Sequence, residues 1–110
     1  MVACGCCALA LGCCGRVGAM PRRWPAPPAW WQREAACIAW HESTDDVHDT
    51  RNPASRGLYQ FEYGTWASVG GSGDPASASR GEQTYRAWLL WKRSGDSWEQ
   101  WATAPLCGLS

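Results

Sequence analysis

The chain lacks an excess of either charge, since its ten basic residues balance its ten acidic residues. A protein that recognises nucleic acid or an anionic membrane electrostatically carries a basic surface, so we expect neither partner here. The sequence also lacks an apolar run of about 20 residues, the length needed to cross a bilayer. We therefore expect no membrane span. With 110 residues, there is room for one domain around a modest core.

Phenylalanine is nearly absent, with one residue against nine tryptophans. Tryptophan is large and amphipathic, and a small domain can hardly bury nine of them. We expect most single tryptophans to lie in the core, and some to line a surface or a groove. Such a groove suits sugars, because the C–H faces of a sugar lie flat on aromatic rings.

Cysteine is unevenly distributed: five of the seven fall within the first fourteen residues, and only Cys37 and Cys107 lie beyond them. Residues 2–15 are small and apolar, and residues 17–19 have the small side chains of an export cleavage site. We predict a signal peptide over residues 1–19, although it lacks a basic start and a misassigned start remains an alternative. Its removal leaves two cysteines, which in an oxidising compartment would most simply form one disulfide. That bond would stabilise the domain by roughly 4 kcal/mol.

The rest of the chain divides by composition. Residues 20–28 are rich in proline and predict an extended linker, which leaves residues 29–110 as the folded domain. Apolar residues at helical spacing predict a helix over 29–42, which the polar residues 43–46 end. Strand signals are few and there is no internal repeat. The fold class is therefore predicted to be mainly α, with little or no β-sheet.

The second half predicts three further elements. Residues 57–63 show alternating features that fit a short strand or a turn-rich segment, and we expect them to be extended. Residues 65–69 predict a short helix. A capping box, Ser79 with Glu82, predicts the start of a last long helix that Gly95 ends. The apolar stripe of this helix is predicted to comprise Tyr85, Trp88 and Leu89.

The stretch AWHESTDD, residues 39–46, concentrates groups that could do chemistry. A zinc-protease helix needs H-E-x-x-H, but position 45 is aspartate, so we expect no metal there. Ser43 lacks the glycines that surround a nucleophilic serine. Glu42 could be a general acid if apolar neighbours kept it protonated. The macrodipole at a helix C-terminus acts in the same direction, because it disfavours the negative charge of the ionised carboxylate. The alternative is a charged helix end that faces water.

Segments further along the chain favour the general acid. Glu42-Ser43 is followed by G-L-Y-Q-F at residues 57–61 and then by Thr65-Trp66, in one order within 25 residues. This order resembles that of the lysozyme-like domains of lytic transglycosylases and resuscitation-promoting factors. The resemblance covers residues 29–107 and implies a mainly α, lysozyme-like fold (formally α+β) around a glycan-binding cleft.

The resemblance implies a role for each matching residue. Glu42 matches the family's catalytic acid/base, and Cys107 matches a terminal cysteine whose disulfide partner would here be Cys37. The family cysteine often comes directly before the glutamate, whereas five positions separate Cys37 from Glu42 here, so the bridge geometry must differ. The implied substrate-binding residues are Gln60, Tyr59, Glu62 and Trp66.

The implied reaction is cleavage of the β-1,4 bond between N-acetylmuramic acid and N-acetylglucosamine in peptidoglycan. One carboxyl suffices for a transglycosylase that forms a 1,6-anhydro product. A hydrolase would need a second carboxylate about 5–9 Å away, for which Glu62 and Asp49 are candidates. Asp45, Asp46 and Asp49 have no assigned role, and we expect them in a solvated loop.

The wider expectations follow from the same resemblance. We expect no cofactor, a peptidoglycan partner, a monomer, and a secreted or cell-wall-associated location, with a phage-encoded origin as an alternative. Two other functions remain open: a non-catalytic glycan-binding domain and a structural module of a phage particle.

Overall fold

The computed structural model describes residues 23–110; the predicted signal peptide, residues 1–19, lies outside them. The described chain has three α-helices, namely α1 (Ala29–Ser43), α2 (Tyr63–Ser68) and α3 (Arg80–Arg93). Two short 3₁₀ helices, Pro75–Ser77 and Ala104–Cys107, precede α3 and close the chain. Within residues 23–110 the β-structure amounts to one isolated bridge, between Arg56 and Phe61. The predicted mainly α class is confirmed.

Helix α1 ends at Ser43, one residue after the predicted end at Glu42. Thr44 has a φ of 53°, in the left-handed region, and its N–H donates to the carbonyl of Trp40. Asp45 is also left-handed, with a φ of 64°. A right-handed helix cannot continue through two such residues. The last turn therefore stops abruptly and leaves Glu42 at its end.

The predicted extended segment over residues 57–63 is wrong. Arg56 and Phe61 exchange two backbone hydrogen bonds of 2.9 Å, and the four residues between them fold into a tight turn. Gly57 and Gln60 in this turn have φ values of 81° and 53°. The alternating sequence pattern predicted a strand here. Because Arg56 and Phe61 pair with only four residues between them, these residues form a turn and leave no length for a strand. Helix α2 begins at Tyr63, two residues before the predicted start.

Helix α3 starts as predicted, since the Ser79 hydroxyl accepts a hydrogen bond from the Glu82 backbone N–H at 3.1 Å. The predicted apolar stripe of Tyr85, Trp88 and Leu89 is half-buried, and Trp88 and Leu89 pack against the core. The fully buried side chains are Gln83, Ala87, Leu90 and Trp91. A hydrophobic pattern cannot find this face, because the polar Gln83 occupies one of its positions.

The tryptophans divide between the core and the surface, as expected. Five of the nine are buried, namely Trp31, Trp66, Trp91, Trp98 and Trp101. Trp31 stacks on Trp98 with ring centroids 5.0 Å apart. Two remain largely exposed, Trp30 at 46% and Trp40 at 59%. A core made of indoles joins α1, α3 and the C-terminal segment.

The proline-rich segment contacts the domain. Residues 23–28 form no helix. The Trp24 ring lies 5.8 Å from that of Tyr85, and the Arg86 guanidinium lies 5.0 Å from the Trp24 centroid. The Gln32 side-chain amide donates to the Pro27 carbonyl at 2.7 Å. This end of the predicted linker therefore packs on α1 and α3, and the proposed domain boundaries stay predictions.

No helix within residues 23–110 combines the length and the apolar character that a bilayer crossing requires.

Candidate active site

Glu42 lies in the last turn of α1 and is partly buried. One of its carboxyl oxygens, Oε2, accepts a hydrogen bond of 2.7 Å from the Thr103 hydroxyl, 61 positions away in the sequence. The contact therefore holds the carboxyl in one orientation.

The Glu42 carboxyl lines a cleft of about 330 Å³. The cleft has polar groups from four parts of the chain and aromatic groups from two. Its lining comprises Glu42, Asn52, Ser55, Tyr59, Gln60, Phe61, Glu62, Thr65, Leu90, Gln100, Trp101 and Ala102. Of the five residues predicted for catalysis and substrate binding, four meet here: Glu42, Gln60, Tyr59 and Glu62.

One wall of the cleft is the turn at residues 57–61, here called the turn wall. Two buried side chains hold the backbone of Leu58: the Ser43 hydroxyl donates to its carbonyl at 2.8 Å, and the Gln83 amide oxygen accepts from its N–H at 2.7 Å. The Gln83 nitrogen also donates to the carbonyls of Val47 and Ala78. Ser43, which follows Glu42, is fully buried, and its hydroxyl therefore positions the turn.

Gly57 allows Gln83 to approach this turn. A Cβ at Gly57 would lie 2.4 Å from the Gln83 amide oxygen, and the φ of 81° also disfavours any other residue. Gln60, at the other end of the turn, donates from its amide nitrogen to the Gly57 carbonyl at 2.9 Å. This bond orients the Gln60 side chain at the cleft surface.

Tyr59 lines the cleft while its hydroxyl bonds elsewhere. The ring is buried, and the hydroxyl lies 3.0 Å from that of Thr84 on α3. Burial raises the pKa of the phenol above its ordinary value, with the Thr84 hydrogen bond opposing that rise. Tyr59 is thus a neutral wall residue, and its carbonyl accepts a bond of 3.1 Å from the Trp101 indole.

Trp66 is the one predicted binding residue that does not line the cleft. It is 1% exposed, and its indole N–H donates to the Ser72 carbonyl at 3.2 Å. Its ring meets the Phe61 ring edge-on at 5.1 Å. A Cβ on Gly71 would lie 2.3 Å from the indole nitrogen, so the chain is closely packed around it. In this structure Trp66 is buried behind the turn wall, against Phe61, and does not line the cleft.

The opposite wall, residues 101–107, is here called the C-terminal wall. The predicted disulfide between Cys37 and Cys107 is confirmed and ties this segment to α1, with the two Cα atoms 6.0 Å apart. Trp101 and Thr103 from this wall meet the turn wall and Glu42 respectively. Sequence patterns missed Thr103, because a single hydroxyl in a short loop carries no local signal.

The three unassigned aspartates differ from one another. Asp45 and Asp46 are exposed, as expected, and Asp45 pairs with Arg80. Asp49 is 3% exposed and receives bonds from Arg51 at 2.6 and 3.0 Å. These bonds hold the pKa of Asp49 below its ordinary range, against the opposing effect of burial. Asp49 is therefore a paired structural carboxylate that does not line the cleft, which leaves Glu62 as the second carboxyl there.

A small helical domain with a carboxyl-bearing cleft at the end of its first helix is the arrangement of the lysozyme-like class. The family model of the transglycosylase-like domain matches residues 26–104. The chain belongs to this family, and the resemblance found in its motifs is confirmed. At the level of the family, the match indicates a peptidoglycan-directed enzyme of the lytic transglycosylase kind. No curated protein matches the chain.

Proposed function

We propose that the protein cleaves the β-1,4 bond between N-acetylmuramic acid and N-acetylglucosamine, with Glu42 as the general acid and base. The observation that supports this most is the bond from Thr103 to Oε2 of Glu42, inside a cleft that polar side chains line. Because Thr103 engages one oxygen, the other is left to exchange a proton with the sugar. This bond joins the end of α1 to the C-terminal wall.

The proposed reaction uses one carboxyl twice. Protonated Glu42 gives its proton to the glycosidic oxygen, and the bond from that oxygen to the muramic C1 breaks as positive charge develops on the ring. The resulting carboxylate then removes the proton of the muramic C6 hydroxyl, whose oxygen bonds to C1. The product is a 1,6-anhydro sugar, and Glu42 regains its proton.

Glu62 offers a second route. It is exposed, it precedes α2, and it lines the same cleft as Glu42. A second carboxylate could activate water and give a reducing end, the outcome of hydrolysis. We favour the single-acid route, and mass spectrometry of the released fragments separates the two by the mass of one water.

The remaining cleft residues would bind glycan. Gln60 has amide groups suited to sugar hydroxyls and N-acetyl groups, and Tyr59 and Trp101 give the walls an aromatic surface. We propose that the enzyme meets this substrate in the cell wall, after export or from a phage. An oxidising location agrees with the disulfide.

The decisive variant is Glu42→Gln, which keeps the shape of the side chain and the acceptor for Thr103 but has no acidic proton. We expect release of soluble fragments from purified peptidoglycan to fall by at least about a hundredfold, the usual contribution of general acid catalysis. The melting temperature should stay within a few degrees of the parent. Glu99→Gln, at an exposed carboxyl outside the cleft, is the matched control and should keep full activity.

The same assay, applied to Glu42→Gln and to the parent protein, tests the alternative functions. Release at the parental rate by Glu42→Gln would rule out the proposed role. Binding of the parent protein to peptidoglycan with no fragment release would instead identify a glycan-binding module. A protein that neither binds nor cleaves peptidoglycan would match neither function and would favour a structural role.

A further inference from the structure

Three potential metal ligands meet on the side of α1 that faces the C-terminal wall. Cys37 and His41 are four residues apart in α1 and so lie on one face of the helix, and Cys107 ends the last 3₁₀ helix. Their ligand atoms, two sulfurs and an imidazole nitrogen, all lie within 4.8 Å of one another. His41 is exposed and is not among the residues that line the cleft.

In the oxidised protein the two sulfurs are joined to each other. A thiolate is the metal ligand, so the disulfide cannot bind a cation in this way. Reduction adds two electrons and two protons and gives two thiols. A phosphine reductant supplies the electrons and becomes the phosphine oxide, with its oxygen taken from water.

The freed groups match zinc in type and in spacing. Two cysteine sulfurs with one histidine nitrogen are a known zinc ligand set, and soft thiolates select this metal over magnesium or calcium. Zn–S bonds of about 2.3 Å place tetrahedral sulfurs about 3.8 Å apart. The Cα atoms of Cys37 and Cys107 lie 6.0 Å apart. The two sulfurs can therefore separate to that distance by side-chain rotation, with little backbone movement.

We propose that the reduced protein binds one Zn²⁺ through Cys37, His41 and Cys107, with water in the fourth position. Binding displaces the two thiol protons. The metal then replaces the disulfide as the link between α1 and the C-terminal wall, and it keeps Thr103 beside Glu42 before oxidation or after reduction. This inference concerns the link between two segments and does not depend on the reaction that Glu42 performs.

The test uses the 110-residue chain with its five N-terminal cysteines changed to serine, so that other thiols cannot bind the metal. These positions are Cys4, Cys6, Cys7, Cys13 and Cys14. The protein is reduced with a phosphine under anaerobic conditions and titrated with Co²⁺, a coloured substitute for zinc. We expect thiolate-to-cobalt absorption that saturates at one ion per chain, and its loss when Zn²⁺ is added. The oxidised protein should give no such band.

Two histidine variants make the test specific. His41→Gln leaves the disulfide possible and should weaken cobalt binding to the reduced protein by at least about tenfold. His48→Gln, at the other histidine, should leave the affinity unchanged. Circular dichroism of the reduced protein should show native helix when metal is bound.

Several results would overturn the proposal. They are the absence of a thiolate–cobalt band, an equal band in the oxidised protein, equal affinity in His41→Gln, and binding that leaves the reduced chain unfolded. If Glu42 proved not to be catalytic, none of these metal-binding measurements would change, so the two proposals can fail independently.

Discussion

The two walls of the cleft are held by different physics. The turn wall is fixed by hydrogen bonds between neutral groups. The buried Ser43 hydroxyl bonds the carbonyl of Leu58, and the buried Gln83 amide oxygen bonds its N–H. The C-terminal wall is fixed by one covalent bond and two long-range hydrogen bonds, from Trp101 and from Thr103. The first wall therefore depends on shape and on satisfied polar groups, and the second depends on the redox state of two cysteines.

The largest effect is expected from breaking the turn wall. Gln83→Leu keeps much of the volume but leaves the Leu58 N–H and the carbonyls of Val47 and Ala78 without this partner. The buried Leu58 N–H would cost about 1–3 kcal/mol when unpaired, and the two partly buried carbonyls would each cost less, so we expect a loss of about 4 kcal/mol in the free energy of unfolding. Urea denaturation measures it. Gln100→Leu, at an exposed position, should change stability little, and an equal loss there would show that Gln83 has no special part.

A smaller loss is expected from freeing the C-terminal wall. Changing Cys37 and Cys107 together to alanine opens a link between residues 70 apart in sequence. We expect a loss of about 2–4 kcal/mol in unfolding free energy, because the unfolded chain regains freedom. The rate of peptidoglycan cleavage should also be lower at temperatures at which the variant is still folded, because Thr103 is no longer held near Glu42. An unchanged urea midpoint and activity would mean that the remaining contacts hold this wall alone.

The contact between the C-terminal wall and the acid gives a sharper comparison. Thr103→Val removes the hydroxyl that bonds Glu42 but keeps the branched shape. A hydrogen bond of this kind is worth about 1.5 kcal/mol, so we expect kcat to fall by roughly tenfold with little change in KM. Thr103→Ser should retain most of the activity. Equal rates in the valine and serine variants would rule out a positioning role for the hydroxyl.

The smallest effect concerns the loop that precedes the turn wall. The bonds from Arg51 lower the pKa of Asp49 in the folded state, so its ionised form stabilises the fold above the unfolded pKa of about 3.9. This stabilisation is lost as pH falls through the lower folded value. Unfolding free energies of the parent and Asp49→Asn should therefore converge as pH drops below about 4. A difference between the two proteins that stays constant below pH 4 would contradict this prediction.

Local patterns were enough for the elements that depend on neighbouring residues. The helix over 29–42, the capping of α3 by Ser79 and the helical class all followed from spacing and local hydrogen bonds. The buried face of α3 and the turn at 57–61 did not. In both, a polar side chain bonds the backbone of a residue distant in sequence. A hydrophobicity pattern predicts that the polar Gln83 is exposed, whereas it is buried and bonded to Leu58.

The sequence by itself determined that a helix ends at about Glu42, that two distant cysteines were available to pair, and that a segment with a glutamine and then a short helix follow in family order. Only the tertiary structure decided which groups surround the carboxyl. It brought in Thr103 and Trp101, left Glu62 in the cleft, and removed Asp49 and Trp66 from it. The reason is that helix ends and turns are set by nearby backbone geometry, whereas a cleft is formed by side chains whose partners lie up to 61 positions away.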